Sequence, residues 1–512
     1  MPDNRSSTAE FEDSLGLQVH EVVIVGSGLS GIAAAVKLDR AGIDDFVVLE
    51  KADRVGGTWR ENTYPGCGVD IPSAVYCFTF NPNPKWSRNF ASQPEVLAYI
   101  EDTVVEFGIA ERLRFGTELL DASWSDADRQ WTMQTTRGTY LARHVVFATG
   151  LLTEPKFPPL PGLETFTGTK FHSATWNHDI DLADKRVAVI GTGCSSVQIV
   201  PEIASVVDEL IVFQRTPAWV IPRLDFPIPS FVQTFFRLVP AAQWFLRFVC
   251  DVILRTLALV MRRERTARLL GPVGRGQLRS QVPDPTLRAM LTPDFTIGCK
   301  RLLLSNTYLP ALSRSNVTLL PHALTAVDGD KLIAADGTEK FVDVIVFATG
   351  FELRYPPIAK RIRVRGGSTL SEQWDRTSPE AYLATTVPSA PNAYLLLGPN
   401  IVMYNSLLSL AESQIDYVID AIRLTRSSGV EALEVIEQHF AAFNERVQRD
   451  LGNSVYNTGG CASFYIDEHG KNFVTWPWST AKLRKSLAHF DVENYDVVRN
   501  RHELPRSESV SG

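Results

Sequence analysis

The sequence predicts an α/β fold made of two similar parallel βαβ units, the second interrupted by a helical insertion. Three observations predict it. Two glycine-rich turns, Gly26-Ser27-Gly28-Leu29-Ser30-Gly31 and Gly191-Thr192-Gly193-Cys194-Ser195-Ser196, each come after an apolar run, at 22–25 and 187–190. Each turn then opens a stretch with helical apolar spacing, Ile32, Ala35, Val36 and Leu38 in one and Val197, Ile199, Val200 and Ile203 in the other. Last, an Ala-Thr-Gly strand end at 148–150 recurs at 348–350. We read these as strands returning under the cofactors that such turns hold, with the glycine of each echo allowing close approach.

The two units differ in the charge at the end of the next strand. Glu50 stands as far beyond Gly26 as Arg215 stands beyond Gly191. That is the end of the second strand of a βαβ unit, where an adenosine ribose lies. A carboxylate there accepts hydrogen bonds from ribose hydroxyls and repels a 2′-phosphate, whereas an arginine attracts one. Glycines let the backbone approach a pyrophosphate, and the helix N-terminus supplies partial positive charge. The two units therefore read as Rossmann-like, the first for FAD and the second for NADPH. Ser196 replaces the third glycine of the second turn, and its small side chain suits close helix–strand packing.

Composition agrees with a globular chain of two or three domains: 512 residues, 45% hydrophobic and 21% charged. A net charge of −7 gives no general attraction to nucleic acid. The six cysteines form no CxxC or metal-like cluster and read as reduced thiols of a cytoplasmic protein. Cys67 and Cys77 are too far apart for the dithiol of a disulfide reductase. No HExxH pattern or Gly-x-Ser-x-Gly elbow is present, so neither metal nor serine-nucleophile chemistry is expected. Residues 1–20 are polar and acidic, unlike a secretory signal, and with the tail from about 502 they read as disordered.

The expected organisation is 1–152 for the first part of the FAD unit and 153–222 for the first part of the NADPH unit. A helical insertion takes 223–296, the NADPH unit resumes over 297–387, and the FAD unit returns over 388–512. Within the insertion, residues 231–261 are dense in Phe, Trp, Leu and Val. Arg237, Arg247, Asp251 and Arg255 break the run and Pro240 splits it, which argues for two amphipathic helices rather than a membrane span. Their apolar face is expected to cap the second unit, to line a substrate channel, or to make peripheral membrane contact through 231–263.

Between the two turns lies Phe166-Thr-Gly168-Thr-Lys-Phe-His172-Ser-Ala-Thr-Trp176-Asn177. This FxGxxxHxxxW pattern resembles the signature of Baeyer–Villiger monooxygenases. Trp176 favours that branch over the sister flavin monooxygenases, while Asn177 departs from the family's usual proline or aspartate. The resemblance extends over most of the chain. Gly56-Gly57-Thr58-Trp59, with Asp70 and Tyr76 beyond it, resembles the family's flavin loop. Gln214-Arg215-Thr216-Pro217 resembles its 2′-phosphate clamp, and Ile297-Gly298-Cys299-Lys300-Arg301 its active-site arginine segment. Gly398-Pro399-Asn400 and Gly459-Gly460-Cys461 match later segments, where Tyr456 and Phe464 stand at positions that are often tryptophan.

The resemblance implies that reduced flavin and O2 form a C4a-peroxide whose anion attacks a ketone, giving an ester or lactone. It implies that Arg301 holds the anion, that Asp70 positions Arg301, and that Lys300 helps Arg215 and Thr216 with the 2′-phosphate. An arginine suits the task because it stays cationic when partly buried and offers several donors. It further implies that Phe166, Gly168, His172 and Trp176 couple domain movement to catalysis. An apolar ketone and O2 are the expected substrates. The alternatives are oxygenation of a sulfide or amine and, outside enzymes, an NADPH-sensing or partner-binding flavoprotein.

Overall fold

The computed structural model describes residues 18–354 and 356–499. β1 (Val19–Val25) leads through α1 (Leu29–Arg40) to β2 (Phe46–Leu49), its parallel neighbour, and takes β3 (Gly138–Phe147) on its other side. Val22 to Val25 and all of β2 are buried, so both faces of this sheet are covered, as a parallel sheet requires. Leu119–Ser125 and Gln130–Thr135 extend it antiparallel beyond β3, Leu113–Arg114 and Ile362–Arg363 form its edges, and Ala393–Leu395 pairs with the end of β3. α1 and the long helix Leu407–Ser427 share one apolar core on its face.

The second sheet repeats the plan. It uses β4 (Thr169–His172), β5 (Arg186–Ile190), α2 (Cys194–Ile203) and β6 (Glu209–Phe213). The chain then leaves it for α3 (Ser230–Leu238) and α4 (Pro240–Val260), with Pro240 in the first turn of α4, where its missing N–H costs nothing. Shorter helices follow at Glu264–Ala267, Gly271–Gln281 and Pro285–Met290. Leu303–Leu304 pairs with Val220–Ile221 outside the main sheet, which resumes with β7 (Val317–Leu320) and β8 (Val344–Phe347). The order is β7-β6-β5-β8-β4, parallel throughout.

The sequence echo is a structural one. Gly26 and Gly191 have φ of +103° and +110°. A Cβ on them would lie 2.7 Å from the Ala148 carbonyl oxygen and 2.6 Å from that of Ala348. The close approach is thus between the alanine carbonyl and the first glycine of each turn. Around Gly150 and Gly350 no protein atom lies within 4 Å of where a Cβ would stand.

Two expectations need correction. β1 starts at Val19, because Val19 and His20 pair with Leu141 and Ala142, so the polar lead-in ends earlier than residue 20. Residues 1–17 and the tail from 502 lie outside the described residues. The cysteines are not all free: Cys299 is bridged to Cys461, and Cys67, Cys77, Cys194 and Cys250 are thiols. A separation of 162 residues leaves no spacing signal in sequence. The fold brings the two together because Thr296 N–H donates to the Gly459 carbonyl at 2.8 Å, and Gly459 lacks the Cβ that would collide with Cys299.

Candidate active site

The first glycine turn is built to hold an anion against the N-terminus of α1. Gly28 caps the helix, and the flavin loop closes over it backbone to backbone: a Cβ on Gly57 would lie 3.0 Å from Gly28 Cα. Nothing bulkier than glycine leaves that space. Glu50 is 4% exposed at the end of β2. Its Oε2 accepts from Ser27 N–H at 2.9 Å and Ser27 Oγ at 2.7 Å, and its Oε1 accepts from Ala52 N–H at 3.0 Å. Arg60, which sequence reasoning missed, lies 3.3 Å from Oε1 and compensates the buried charge. Thr58 and Trp59 start the helix Thr58–Glu61, and Trp59 Nε1 donates to Tyr76 Oη at 3.0 Å with the rings edge to face.

The second turn offers a cradle of opposite polarity. Gly193 caps α2, and Ser195 follows Cys194 in its first turn. Ser196, where the first turn has Gly31, is fully buried and so fits the packing role expected of a small residue. Thr192 Oγ1 donates to the Thr216 carbonyl at 3.2 Å, tying the turn to the end of β6. Arg215 is exposed there. Burial, and then the Arg215 charge, push the Lys300 ammonium below its usual value, with Asp294 opposing. Two cations from segments far apart in sequence thus converge, an arrangement that suits a phosphate.

Arg301 and Asp70 meet between the two turns. Arg301 Nε donates to Asp70 Oδ2 at 3.0 Å, and Nη2 contacts the same oxygen. The Asp70 carboxylate holds the guanidinium well above its usual pKa against the opposing effect of burial. Arg301 is surrounded by protein yet 35% of its side-chain surface is open, so it lines an internal recess. Cys194 of the second turn is beside it: burial pushes that thiol up, and Arg301 pulls it down. Tyr404, Tyr456 and Tyr465 complete the wall. Burial raises the Tyr404 phenol to about 12, with Arg301 opposing. The rings of Tyr456 and Tyr465 meet edge to face at 5.8 Å. Of the two positions where the family often has tryptophan, Tyr456 is buried here and Phe464 is 58% exposed. Tyr404 and Tyr465 lie just beyond the 398–400 and 459–461 segments, but nothing in their spacing shows that they face Arg301.

The FxGxxxH stretch spans the junction. Phe166 is buried, and a Cβ on Gly168 would strike the Asp343 carbonyl. His172 ends β4, fully buried. Its Nδ1 accepts from Ala174 N–H at 3.1 Å, and its ring sits edge to face on Phe157 and Phe351 at 5.4 and 5.7 Å. Burial lowers its pKa, so the ring is neutral near pH 7. Trp176 packs edge to face on Phe171. Just beyond it, His178 Nε2 meets Thr63 Oγ1 of the flavin loop at 2.7 Å. The motif therefore touches the linker and the segment leaving β8, and the residue just after it reaches the flavin loop.

The sequence profile of the pyridine nucleotide-disulphide oxidoreductase family matches residues 23–226. A Streptomyces coelicolor protein named Baeyer–Villiger monooxygenase is 44% identical, covering 94% of both chains. A Pseudomonas aeruginosa protein of the same name is 40% identical, covering 97% of this chain and 95% of its own. The chain belongs to the Baeyer–Villiger monooxygenase family. Among solved structures, cyclohexanone monooxygenase from Rhodococcus sp. Phi1 bound to NADP+ superimposes with a TM-score of 0.84 at 26% identity, covering 95% of this chain and 100% of that one. An oxidised steroid monooxygenase bound to NADP gives 0.83 at 27%, covering 94% and 100%. Members of this family carry FAD and NADP, and the two cradles described above fit both groups. No helix among the described residues is long and apolar enough to cross a membrane.

Proposed function

We propose that this chain inserts one oxygen atom of O2 beside the carbonyl of an apolar ketone, giving an ester or lactone, with FAD and NADPH as cofactors. The observation that carries the reading is the Arg301–Asp70 pair, set in a recess between a turn that ends in Glu50 and one that ends in Arg215. FAD, when bound, supplies the redox chemistry that activates O2 with electrons from NADPH. Gly26, Ser27, Gly28, Gly31 and Glu50 hold its adenosine and pyrophosphate end, and Gly57, Thr58, Trp59 and Tyr76 close over it. Gly191, Thr192, Gly193, Cys194, Ser195 and Ser196 hold the second pyrophosphate, with Arg215, Thr216 and Lys300 at the 2′-phosphate.

Attack on a ketone converts its carbonyl oxygen to an oxyanion. Arg301 is the cation at hand to meet it, and in a recess walled by tyrosines that interaction is stronger than in water. Asp70 keeps the guanidinium oriented through two donors on one side and so leaves the other side for the substrate. Trp176 supports ketones ahead of sulfides and amines as the substrate class. The two sheets and the helical segment support a first unit at 1–152 with 388–512 and a second at 153–222 with 297–387, joined by the 223–296 insertion, except that Ile362–Arg363 pairs with the first sheet and Ala359 to Val387 pack in its core, so the first unit resumes before 388.

The test is anaerobic reduction of the FAD-loaded chain with NADPH, followed by oxygen and a panel of ketones and sulfides. Bleaching of the flavin by NADPH and ester formation on oxygen addition support the reading. A flavin that NADPH leaves oxidised, or turnover of sulfides with no ketone converted, contradicts it.

A further inference from the structure

Helix α4 has its polarity turned inside out. The stripe facing the protein is Gln243, Arg247, Cys250 and Leu254, all buried. The stripe facing outward is Phe245, Phe248, Val252 and Leu259, between 42% and 68% exposed. Helix α3 extends the outward surface with Phe231, Phe235 and Leu238, and none of its residues is buried. A helix against water carries the opposite pattern. Among the described residues 22 large apolar side chains are exposed, and 12 of them lie between 224 and 259. So concentrated a patch marks a contact surface.

Charge decides what it contacts. From 230 to 281 the chain has nine arginines and two acids, a net of +7 within a protein of −7. The two acids, Asp251 and Glu264, are each paired with an arginine one helical turn on. Arg237, in the last turn of α3, and Arg263, Arg265 and Arg268, just beyond the end of α4, are exposed. Trp244, 45% exposed, belongs to the same surface, with the Arg247 guanidinium 5.7 Å from its ring. An exposed apolar face with exposed arginines and a tryptophan on the same helix pair is the feature set of helices lying in the plane of a bilayer with anionic head groups. A second copy of this chain is a poor occupant, since it would set one +7 surface against another.

The same helix touches the site. Leu246, Cys250 and Leu254 pack on Ile71, Ala74 and Val75. Arg247 Nη1 donates to the Cys77 carbonyl at 3.0 Å. The loop that carries Asp70 is therefore sandwiched between α4 and the recess of Arg301. We infer that α3 and α4 seat this protein on an anionic lipid surface, and that its apolar substrate enters from the lipid on that side. The second half of this inference rests on the proposed ketone reading; the first half stands without it.

The test uses the full-length FAD-loaded chain and three kinds of measurement. Sedimentation with phosphatidylglycerol-containing vesicles is expected at low salt, with at least tenfold weaker association to pure phosphatidylcholine vesicles. Phe245→Glu with Phe248→Glu should abolish sedimentation while leaving turnover of a short water-soluble ketone unchanged; turnover of a long-chain ketone carried in the vesicles should fall. Arg263→Ala with Arg265→Ala, both on the surface, should weaken vesicle binding about tenfold or more, and it checks the result if the phenylalanine variant does not fold. Wild type that stays in the supernatant, or that binds neutral vesicles equally well, overturns the proposal. So does a lipid-free dimer, seen by sedimentation velocity, that the phenylalanine changes dissolve. Vesicle binding without conversion of any ketone would keep the docking face and discard the ketone reading.

Discussion

In the proposed reaction Arg301 is the residue that meets the oxyanion, and its replacement is expected to separate catalysis from cofactor binding. Arg301→Ala is expected to lower ester formation about a hundred- to a thousandfold, the usual loss when one stabiliser of a developing oxyanion is removed. FAD content should be unchanged, because Glu50 and the first glycine turn are remote from the substitution in sequence and bonded independently of it. Arg215→Ala tests the other cation. A charge-assisted contact to phosphate contributes roughly 1.5–3 kcal/mol, so the preference for NADPH over NADH should fall about ten- to a hundredfold, read as the ratio of kcat/KM values. A third prediction concerns His144, which is buried in β3 with Nε2 2.9 Å from Thr425 Oγ1. Burial lowers its pKa to about 3. Below about pH 6.5 the unfolded chain takes up a proton that the folded chain refuses, so stability is lost as pH falls, by up to about 1.4 kcal/mol per pH unit. Tm should drop between pH 6.5 and 5, and His144→Gln should flatten that slope. At this scale Glu50 and Arg215 were legible because each stands at a fixed distance from a glycine turn, and Arg301 through the family resemblance of its 297–301 segment. Arg60, Tyr404 and Tyr465 were not, because their positions depend on tertiary contacts that no spacing encodes.

At the level of elements, the two βαβ units could be read directly. Their signal is local: an apolar run, a glycine turn and a helical stripe, one directly after another. The Ala-Thr-Gly echo was also visible, but its meaning required the sheets, since only they show the Ala148 and Ala348 carbonyls lying beneath Gly26 and Gly191. The Cys299–Cys461 bridge was invisible for the same reason. It ties the Lys300–Arg301 segment to the loop before Tyr465, closing a loop of 162 residues. Removing such a crosslink typically costs about 2–5 kcal/mol. Cys461→Ser is therefore expected to lower Tm by several degrees under non-reducing conditions, and a reductant should lower the wild type towards the same value. Equal Tm values for the oxidised wild type and the variant would show that the bridge adds nothing to stability.

For the whole molecule, the governing feature is that two sheets present their glycine turns to one recess, with the flavin loop bonded to both sides. Tyr64 Oη donates to Gln198 Oε1 of α2 at 2.9 Å, and Gln198 Nε2 donates to the Gly68 carbonyl at 3.0 Å. Binding at the second turn should therefore stiffen the junction with the first. NADP+ at a hundred times its Kd is expected to raise stability by about 2.7 kcal/mol, seen as a higher Tm, and Arg215→Ala should lose most of that rise. The central claim is that the recess transfers one atom of O2 to a ketone at the expense of NADPH. The most direct measurement is turnover of a ketone by the FAD-loaded chain under 18O2, with the product weighed by mass spectrometry and NADPH followed in parallel. The expected result is an ester or lactone carrying one 18O atom, with one NADPH oxidised per product. NADPH oxidation that yields no labelled ester from any ketone tried would contradict it.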